Sequence, residues 1–347
     1  MEFMQGGKLG FGIIGCGMIA NSHANAVRSL DKAELIGVTD VNENARKAFA
    51  EKYKTQSFAS PEELLATPQI DVVCICTPSG LHAPLALMAA NAGKNIVVEK
   101  PMAITLKDCD DIIKACEANK IKMAVISQLR FTDAMNKIKD AIGRNLLGRL
   151  VMGDVYMKYY RSPEYYGNGG WRGTLKMDGG GALMNQGIHG IDLLLYIMGP
   201  VKTVFGRAKT LVRNIEVEDT ASALLEFENG ALGVIQGTTS IYPGTPRRIE
   251  INGDKGSIIL EEDTIFKWDI EGQVCPSDII IGHTSAGSSN NPAAIRPEGH
   301  IKQIGDLIDA IIHDRKPLVD QYEGRKPVEL ILAIYESSKT DKIITLK

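Results

Sequence analysis

The sequence predicts an α/β protein in two parts: a doubly wound parallel sheet first, then an α+β region with a large, mainly antiparallel open sheet. Three observations carry this reading. Up to about residue 130, short continuous Val/Ile/Leu runs alternate with stretches of helical period, the pattern of strands covered on both faces. After about residue 150, strand-like runs follow one another through tight turns. The length, 347 residues, has room for two domains of ordinary size.

KLGFGIIG is an apolar run ending in glycine, and MIANSHANAVRSL after it has helical period. AELIGVTD and NENARKAFAEKY repeat the pair, and IDVVCICTP, GKNIVVEKP and IKMAVIS are further strands separated by the helical LHAPLALMAANAG and LKDCDDIIKACEAN. In the second part GRLVMGDVYMKYY, VKTVFGRAKTLV, DTASALLEFENGALGVIQGTT, RRIEINGDKGSIILE and DTIFKWDIEGQ read as strands, with ENGA and NGDKG as hairpin connections. A helix over 179–198 precedes most of these strands, and helices over 298–313 and 322–341 close the chain. Residues 284–297, TSAGSSNNPAAIRP, form a small-residue loop, either a lid or a surface excursion.

An apolar fraction of 44% and a charged fraction of 23% are those of a soluble globular protein. A net charge of −3 without any basic tail argues against a nucleic-acid partner. The start, MEFMQGGKLGFGIIG, lacks the layout of a signal peptide. Residues 72–93 hold no Asp, Glu, Lys or Arg, but Pro78, Pro84, His82 and Asn91 interrupt the run, so no membrane span is expected. Six scattered cysteines resemble neither a disulfide framework nor a zinc site; reduced thiols in a cytoplasmic protein with no metal are expected.

Gly15-Cys16-Gly17-Met18-Ile19-Ala20 follows a strand and opens a helix, the G-x-G-x-x-A form of the Rossmann dinucleotide fingerprint. Its glycines let the chain turn and approach a pyrophosphate that then faces the helix N-terminus. Asp40 ends the second strand, 23 residues after Gly17, where an acid bonds the adenosine ribose hydroxyls. An acid there repels a 2′-phosphate, so NAD is favoured over NADP, although Arg46 lies one to two helical turns further on. Residues 1–130 are thus the expected dinucleotide-binding domain, with the 322–341 helix a candidate to pack back on it, and 131–347 the substrate and oligomerisation domain.

Ligands of parallel sheets bind at the carboxyl ends of the strands. Thr77 and Pro78 stand at one such end as candidates for the nicotinamide side, and His82 follows as a cofactor contact or a packed histidine. Glu99 and Lys100 stand at the next, before Pro101, and Gln128 and Arg130 at the one after. Arg130 would serve the ligand or brace the domain junction.

GGGALMNQGIHGIDLLL, residues 179–195, carries Asn185, His189 and Asp192 at spacings of four and three, one stripe of a helix at about 100° per residue. Asp192 is the only formal charge from Gly179 to Val201. Histidine, titrating near neutrality, suits the removal of an alcohol proton, and a lysine ammonium suits the developing alkoxide. Asp192 would orient the imidazole or bind a substrate hydroxyl. Trp171 and Arg172 offer a stacking wall and a clamp, and Tyr159, Tyr160, Arg161, Tyr165 and Tyr166 suit carbohydrate contact or sheet-edge packing. His300 would serve the site or cap its helix.

GxGxxA, Asp40, TPSGLH, EKP and GGGALMNQGIHGID together resemble the Gfo/Idh/MocA oxidoreductases, and WRGT, IEVEDT, GALGVIQGTT and EGRKPVELILAIYES extend the resemblance nearly end to end. It implies hydride transfer between nicotinamide and a carbinol carbon of a sugar, polyol (inositol-like) or nucleotide-sugar. It implies that Lys100 binds the reacting oxygen and that His189 is a base or orients the substrate. Many members carry Asp where this chain has Asn185, which hydrogen-bonds but takes up no proton, so the proton falls to His189 or Lys100. Some relatives instead recycle a tightly held NAD in glycoside hydrolysis or sugar–sugar transfer, and a non-catalytic nucleotide-binding regulator is a third reading. The open sheet needs its exposed face covered, so a homodimer or homotetramer through it is expected.

Overall fold

The computed structural model describes residues 7–167, 170–277, 279 and 297–346. The chain divides into two compact units, the first taking Met1–Gln128 with Ile295–Arg325, the second Leu129–Ala294 with Lys326–Lys347.

The first unit strings together β1 (Leu9–Ile14), α1 (Ala20–Ser29), β2 (Ala33–Thr39), α2 (Glu43–Tyr53), β3 (Gln56–Phe58), α3 (Pro61–Leu65), β4 (Val72–Ile75), α4 (His82–Asn91), β5 (Asn95–Val98), α5 (Leu106–Ala118) and β6 (Met123–Val125). The strands form one parallel sheet in the order β3-β2-β1-β4-β5-β6. β1 and β4 are buried along their whole length, which is why they read as unbroken apolar runs rather than alternating ones. Helix starts follow capping chemistry: Asn42, Ser60 and Thr105 each accept a backbone N–H from three residues on.

The second unit holds α6 (Asp133–Gly143), β7 (Leu150–Lys158), α7 (Pro163–Gly167), α8 (Ile188–Met198) and the strands β8 (Val201–Lys209), β9 (Thr220–Phe227), β10 (Leu232–Thr238), β11 (Arg248–Gly253), β12 (Gly256–Glu261) and β13 (Thr264–Ile270). After them come α9 (Pro297–Ile312), which belongs to the first unit, α10 (Gln321–Thr340) and the short β14 (Ile344–Thr345). The eight-stranded sheet runs β13-β12-β11-β7-β10-β9-β8-β14, antiparallel throughout except for the parallel pair β7–β10. α8 covers one face, where Val155 and Met157 are fully buried. The opposite face shows Phe205 paired with Leu224, and Leu232 with Met152, all four exposed.

Two expectations change here. The helix that completes the first unit is α9, with only the first turn of α10 joining it. α9 buries Ile304, Leu307 and Ile308 in the same core as Ala24 and Val27 of α1, and its Gln303 bridges the end of β6, accepting from Ser127 N–H (2.9 Å) and donating to Val125 O (2.8 Å). Both closing helices carry apolar stripes, and a stripe shows that a helix packs without showing against what. The 284–297 loop lies outside the described residues except for Pro297.

The second change concerns the 179–198 helix. Ala182–Gly187 is a π-helical turn, and the α-helix begins only at Ile188. The wider turn shows in the Gln186 N–H, which donates to Gly181 O five residues back (3.3 Å). A side chain at Gly187 would stand 2.8 Å from Ala182 O. With this turn inserted, a constant 100° step no longer relates Asn185 to His189 and Asp192.

Candidate active site

In the first unit the fingerprint loop is shaped by backbone. Gly15 has φ +94°, and a Cβ there would sit 2.9 Å from the carbonyl carbon and oxygen of Cys76. Gly17, by contrast, has nothing within 4 Å of where a Cβ would stand, and Met18 is exposed beside it, so this side is open for a ligand. Ile19 precedes the first residue of α1, and the pyrophosphate would lie at that helix end. The Cys16 thiol is pushed up to about 12 by burial and then by Asp40, so it stays protonated.

Asp40 is held by backbone: its Oδ2 accepts from Cys16 N–H and its Oδ1 from Asn42 N–H, both at 2.7 Å. Lone pairs remain on both oxygens for ribose hydroxyls. Arg46 spends its Nη1 on the Asp40 and Ala59 carbonyls (3.2 Å each) and its Nε on Ser57 Oγ (3.1 Å), contacts that compete with a 2′-phosphate. Thr77 Oγ1 and Gln128 Oε1 are among the polar atoms buried without a hydrogen-bond partner among the described residues. Orphaned groups of this kind at the carboxyl ends of β4 and β6 fit a ligand rich in donors and acceptors, as a dinucleotide is. Pro78 leads into the short 3₁₀ turn Ser79–Leu81 between Thr77 and α4.

His82 follows the second of its two readings, a packed histidine, and Glu99, expected among the cofactor contacts, is turned inward. His82 is 1% exposed, with Nδ1 2.7 Å from Pro101 O and Nε2 2.9 Å from Thr77 O, so it ties two loops together. Burial pushes its pKa down. Glu99 is buried with its carboxylate turned inward: Oε1 meets His23 Nε2 at 2.9 Å, and Oε2 accepts from Lys100 N–H at 3.2 Å. Burial opposes its ionisation, and the neighbouring histidines outweigh that, holding the carboxyl well below its ordinary range. Lys100 itself is half-buried on this turn.

In the second unit the polar stripe divides among three surroundings. Asn185 donates to Asp178 Oδ1, and Asp178 Oδ2 accepts from Gly173 N–H (2.9 Å). Asn185 Oδ1 accepts from Gln186 Nε2 (2.9 Å), which also reaches Tyr165 Oη (2.9 Å), while Gln186 Oε1 accepts from Arg161 Nε (3.0 Å). Asp192 is neither the orienter of an imidazole nor a hydroxyl binder: it is 2% exposed and takes both oxygens to Arg130, Oδ2 from Nε (2.9 Å) and Oδ1 from Nη2 (2.6 Å). Arg130 is correspondingly an internal brace of the second unit, 1% exposed. His189 is half-buried, the second residue of α8.

Trp171 and Arg172 are adjacent in space as well as sequence, with the guanidinium 5.1 Å from the Trp171 ring and 4.8 Å from that of Tyr165. Arg172 Nε is buried without a hydrogen-bond partner among the described residues, and so is Nε of Arg213, whose guanidinium stacks over Tyr160. Arg161 is buried, and desolvation lowers its pKa. Glu218 accepts from Gly181 N–H (2.9 Å), Leu183 N–H (2.8 Å) and Tyr335 Oη (2.8 Å), and so anchors the start of the π turn. Asp178, Gln186, Arg213 and Glu218 take part in these contacts without having stood out as candidates in the sequence. Gln186 lies beside Asn185 in GGGALMNQGIHGID and Glu218 lies in IEVEDT, whereas Asp178 and Arg213 stand in neither motif.

Residues 9–127 match the Gfo/Idh/MocA family description "Oxidoreductase family, NAD-binding Rossmann fold", and residues 135–259 match the family's C-terminal domain. The WlbA dehydrogenase from Bordetella pertussis, solved with NADH and UDP-GlcNAcA, is 33% identical over 98% of this chain and 99% of its own, with a TM-score of 0.88. Its counterpart from Chromobacterium violaceum, with the same two ligands, is 34% identical over 99% and 97%, with a TM-score of 0.89. Myo-inositol 2-dehydrogenase of Thermotoga maritima is 29% identical over 75% of this chain and 78% of its own. With the fingerprint, Asp40 and the EKP turn in place, the chain belongs to the Gfo/Idh/MocA oxidoreductases, NAD-dependent enzymes acting on CH–OH groups.

Proposed function

We propose that this enzyme oxidises a secondary alcohol of a nucleotide-sugar, with a charged sugar such as that of UDP-GlcNAcA as the first candidate. The observation that carries this is the group of three arginines in the second unit, Arg161, Arg172 and Arg213, set against Tyr165, Trp171 and Tyr160. Two of them hold a buried Nε with no hydrogen-bond partner among the described residues. A neutral polyol has no use for that much fixed positive charge, whereas a diphosphate or carboxylate supplies charge-assisted partners. The ligand of the two WlbA relatives has both groups, which supports the same choice.

Bound NAD supplies the hydride acceptor. In this reading Thr77 and Gln128 hold its nicotinamide side, and Asp40 its adenosine ribose. Lys100 binds the reacting oxygen and stabilises developing negative charge, and His189 takes the hydroxyl proton. Asn185 and Trp171 contact the sugar, with Arg172 on the anionic part. Arg172→Ala should raise KM for UDP-GlcNAcA about tenfold or more while changing kcat little, the loss of one charge-assisted contact made equally in ground and transition states. An unchanged KM would remove the arginines from substrate binding. Reduction and reoxidation of a retained cofactor without net NADH would instead favour a sugar–sugar oxidoreductase or a glycosidase.

The same reading has the exposed face of the eight-stranded sheet covered by another copy, since Leu224 (55% exposed), Leu232 (51%), Met152 and Phe205 lie together on it. Light scattering on the purified protein tests this. No helix among the described residues is long and apolar enough to cross a membrane. A reducing, cytoplasmic setting is supported by six cysteines that are all free thiols.

A further inference from the structure

Behind the Lys100 turn, in the first unit, lies a group that the reaction does not directly use. His23 from α1, Glu99 from the end of β5 and His300 from α9 are all buried, the two histidines completely. The imidazoles meet edge to face, with centroids 5.4 Å apart. His23 Nε2 is 2.9 Å from Glu99 Oε1, and His300 Nε2 is 3.6 Å from the same oxygen. His300 has no hydrogen-bond partner at either nitrogen among the described residues, nor does His23 at Nδ1.

We infer that His23 and His300 are positioning residues for Lys100, acting through Glu99. The carboxylate folds back on its own chain: Oε2 accepts the Lys100 N–H, so the rotamer of Glu99 and the backbone of the turn are coupled. Oε1 has one hydrogen-bonded neighbour, His23, and one steric and electrostatic neighbour, His300. Together the rings leave the carboxylate one place to be. If it swings away, the Lys100 amide loses its acceptor, and the side chain carried by that residue shifts with it.

The group also has the composition of a metal site, with three ligand atoms within 4.8 Å of one another. Its surroundings argue against that use. A metal-bound histidine normally donates its second ring N–H to a carbonyl or carboxylate, and neither Nδ1 here has such a partner among the described residues. One carboxylate oxygen is already committed to Lys100.

The inference rests on the reading of Lys100 as the residue that handles the reacting oxygen, and its test has an arm that does not. With nitrogen-labelled lysine, the exchange rate of the Lys100 amide proton is read by NMR in the full-length protein, alongside NADH affinity by fluorescence and steady-state kinetics. In His23→Ala and His300→Ala that proton should exchange about tenfold faster or more. Over the same variants kcat should fall about tenfold, a fraction of the penalty expected for an ångström of misplacement, while the dissociation constant for NADH stays within about twofold. His300→Gln, whose amide can donate to Oε1, should recover most of both losses and guards against a variant that merely misfolds. Unchanged exchange and kcat in both alanine variants would overturn the inference, as would an NADH affinity that weakens as much as kcat falls. Stoichiometric transition metal in the purified protein would overturn it too, by giving the three side chains another occupant. If no sugar is oxidised even by the wild type, the functional reading fails and the amide exchange alone decides the positioning role.

Discussion

In the first unit the polar groups at the fingerprint loop and the strand ends are held largely by backbone. Asp40 is gripped by the N–H groups of Cys16 and Asn42, Gly15 is set by its own φ, and His82 joins two carbonyls. In the second unit the polar groups of residues 178–192 are held mostly by other side chains: Asp178 by Asn185, Asn185 by Gln186, Gln186 by Arg161, Asp192 by Arg130. A backbone-held site keeps its shape when a neighbouring side chain changes. A side-chain network fails as a unit, because each deletion leaves a buried partner unsatisfied. The contrast suits one site that binds an invariant cofactor and another that has to distinguish substrates.

The largest effect should come from removing the proposed proton handlers. Lys100→Met and His189→Asn are each expected to lower kcat by about 10²–10⁴-fold, the usual worth of a positioned acid or base, with NADH affinity nearly unchanged in the second. Steady-state kinetics with cofactor titration would check both. Next, Asp192→Ala removes the carboxylate that accepts from both Nε and Nη2 of Arg130 in the interior of the second unit and should cost about 3–5 kcal/mol of stability by denaturant unfolding. An effect below about 1 kcal/mol, the level of an exposed pair, would contradict the placement of that pair in the core.

Asn185→Asp sharpens the comparison further, because it faces Asp178 with a second carboxylate. Like charges in one buried place raise the folded-state pKa of one of them above its unfolded value. Stability is then present at low pH and is lost as pH rises from the ordinary carboxyl range toward that raised value, so the variant should melt progressively lower than wild type between about pH 4 and pH 7. A pH-independent difference would show that Asp178 is not its neighbour. The smallest effect belongs to the backbone-held side: Asp40→Ser should weaken NAD binding by about 1–2 kcal/mol and narrow its preference over NADP, leaving the fold intact.

Legibility follows the same division. That the fingerprint, Asp40, Thr77 and Lys100 stand at the carboxyl ends of parallel strands was readable, because the chain there is short and local. Asp178, Gln186 and Arg213 were not, since nothing in their spacing says that Asp178 reaches Asn185. The π turn was equally hidden: it is stabilised by Glu218, more than thirty residues downstream of the turn it anchors. His82 and Glu99 stand in positions expected of cofactor contacts, yet they hold the backbone of the turns at Thr77 and Lys100–Pro101, a distinction that only burial and partners reveal. His300 and α9 come back to the first unit from far along the chain, beyond the reach of local pattern.

Oxidation of an anionic nucleotide-sugar by NAD sets the order of NADH formation with UDP-GlcNAcA, the same uronic acid lacking its nucleotide, and myo-inositol under identical conditions. The kcat/KM for UDP-GlcNAcA should exceed that for myo-inositol by about 10³-fold or more, because a polyol leaves the buried Nε donors of Arg172 and Arg213 unpaired. Equal or greater kcat/KM for myo-inositol would contradict it.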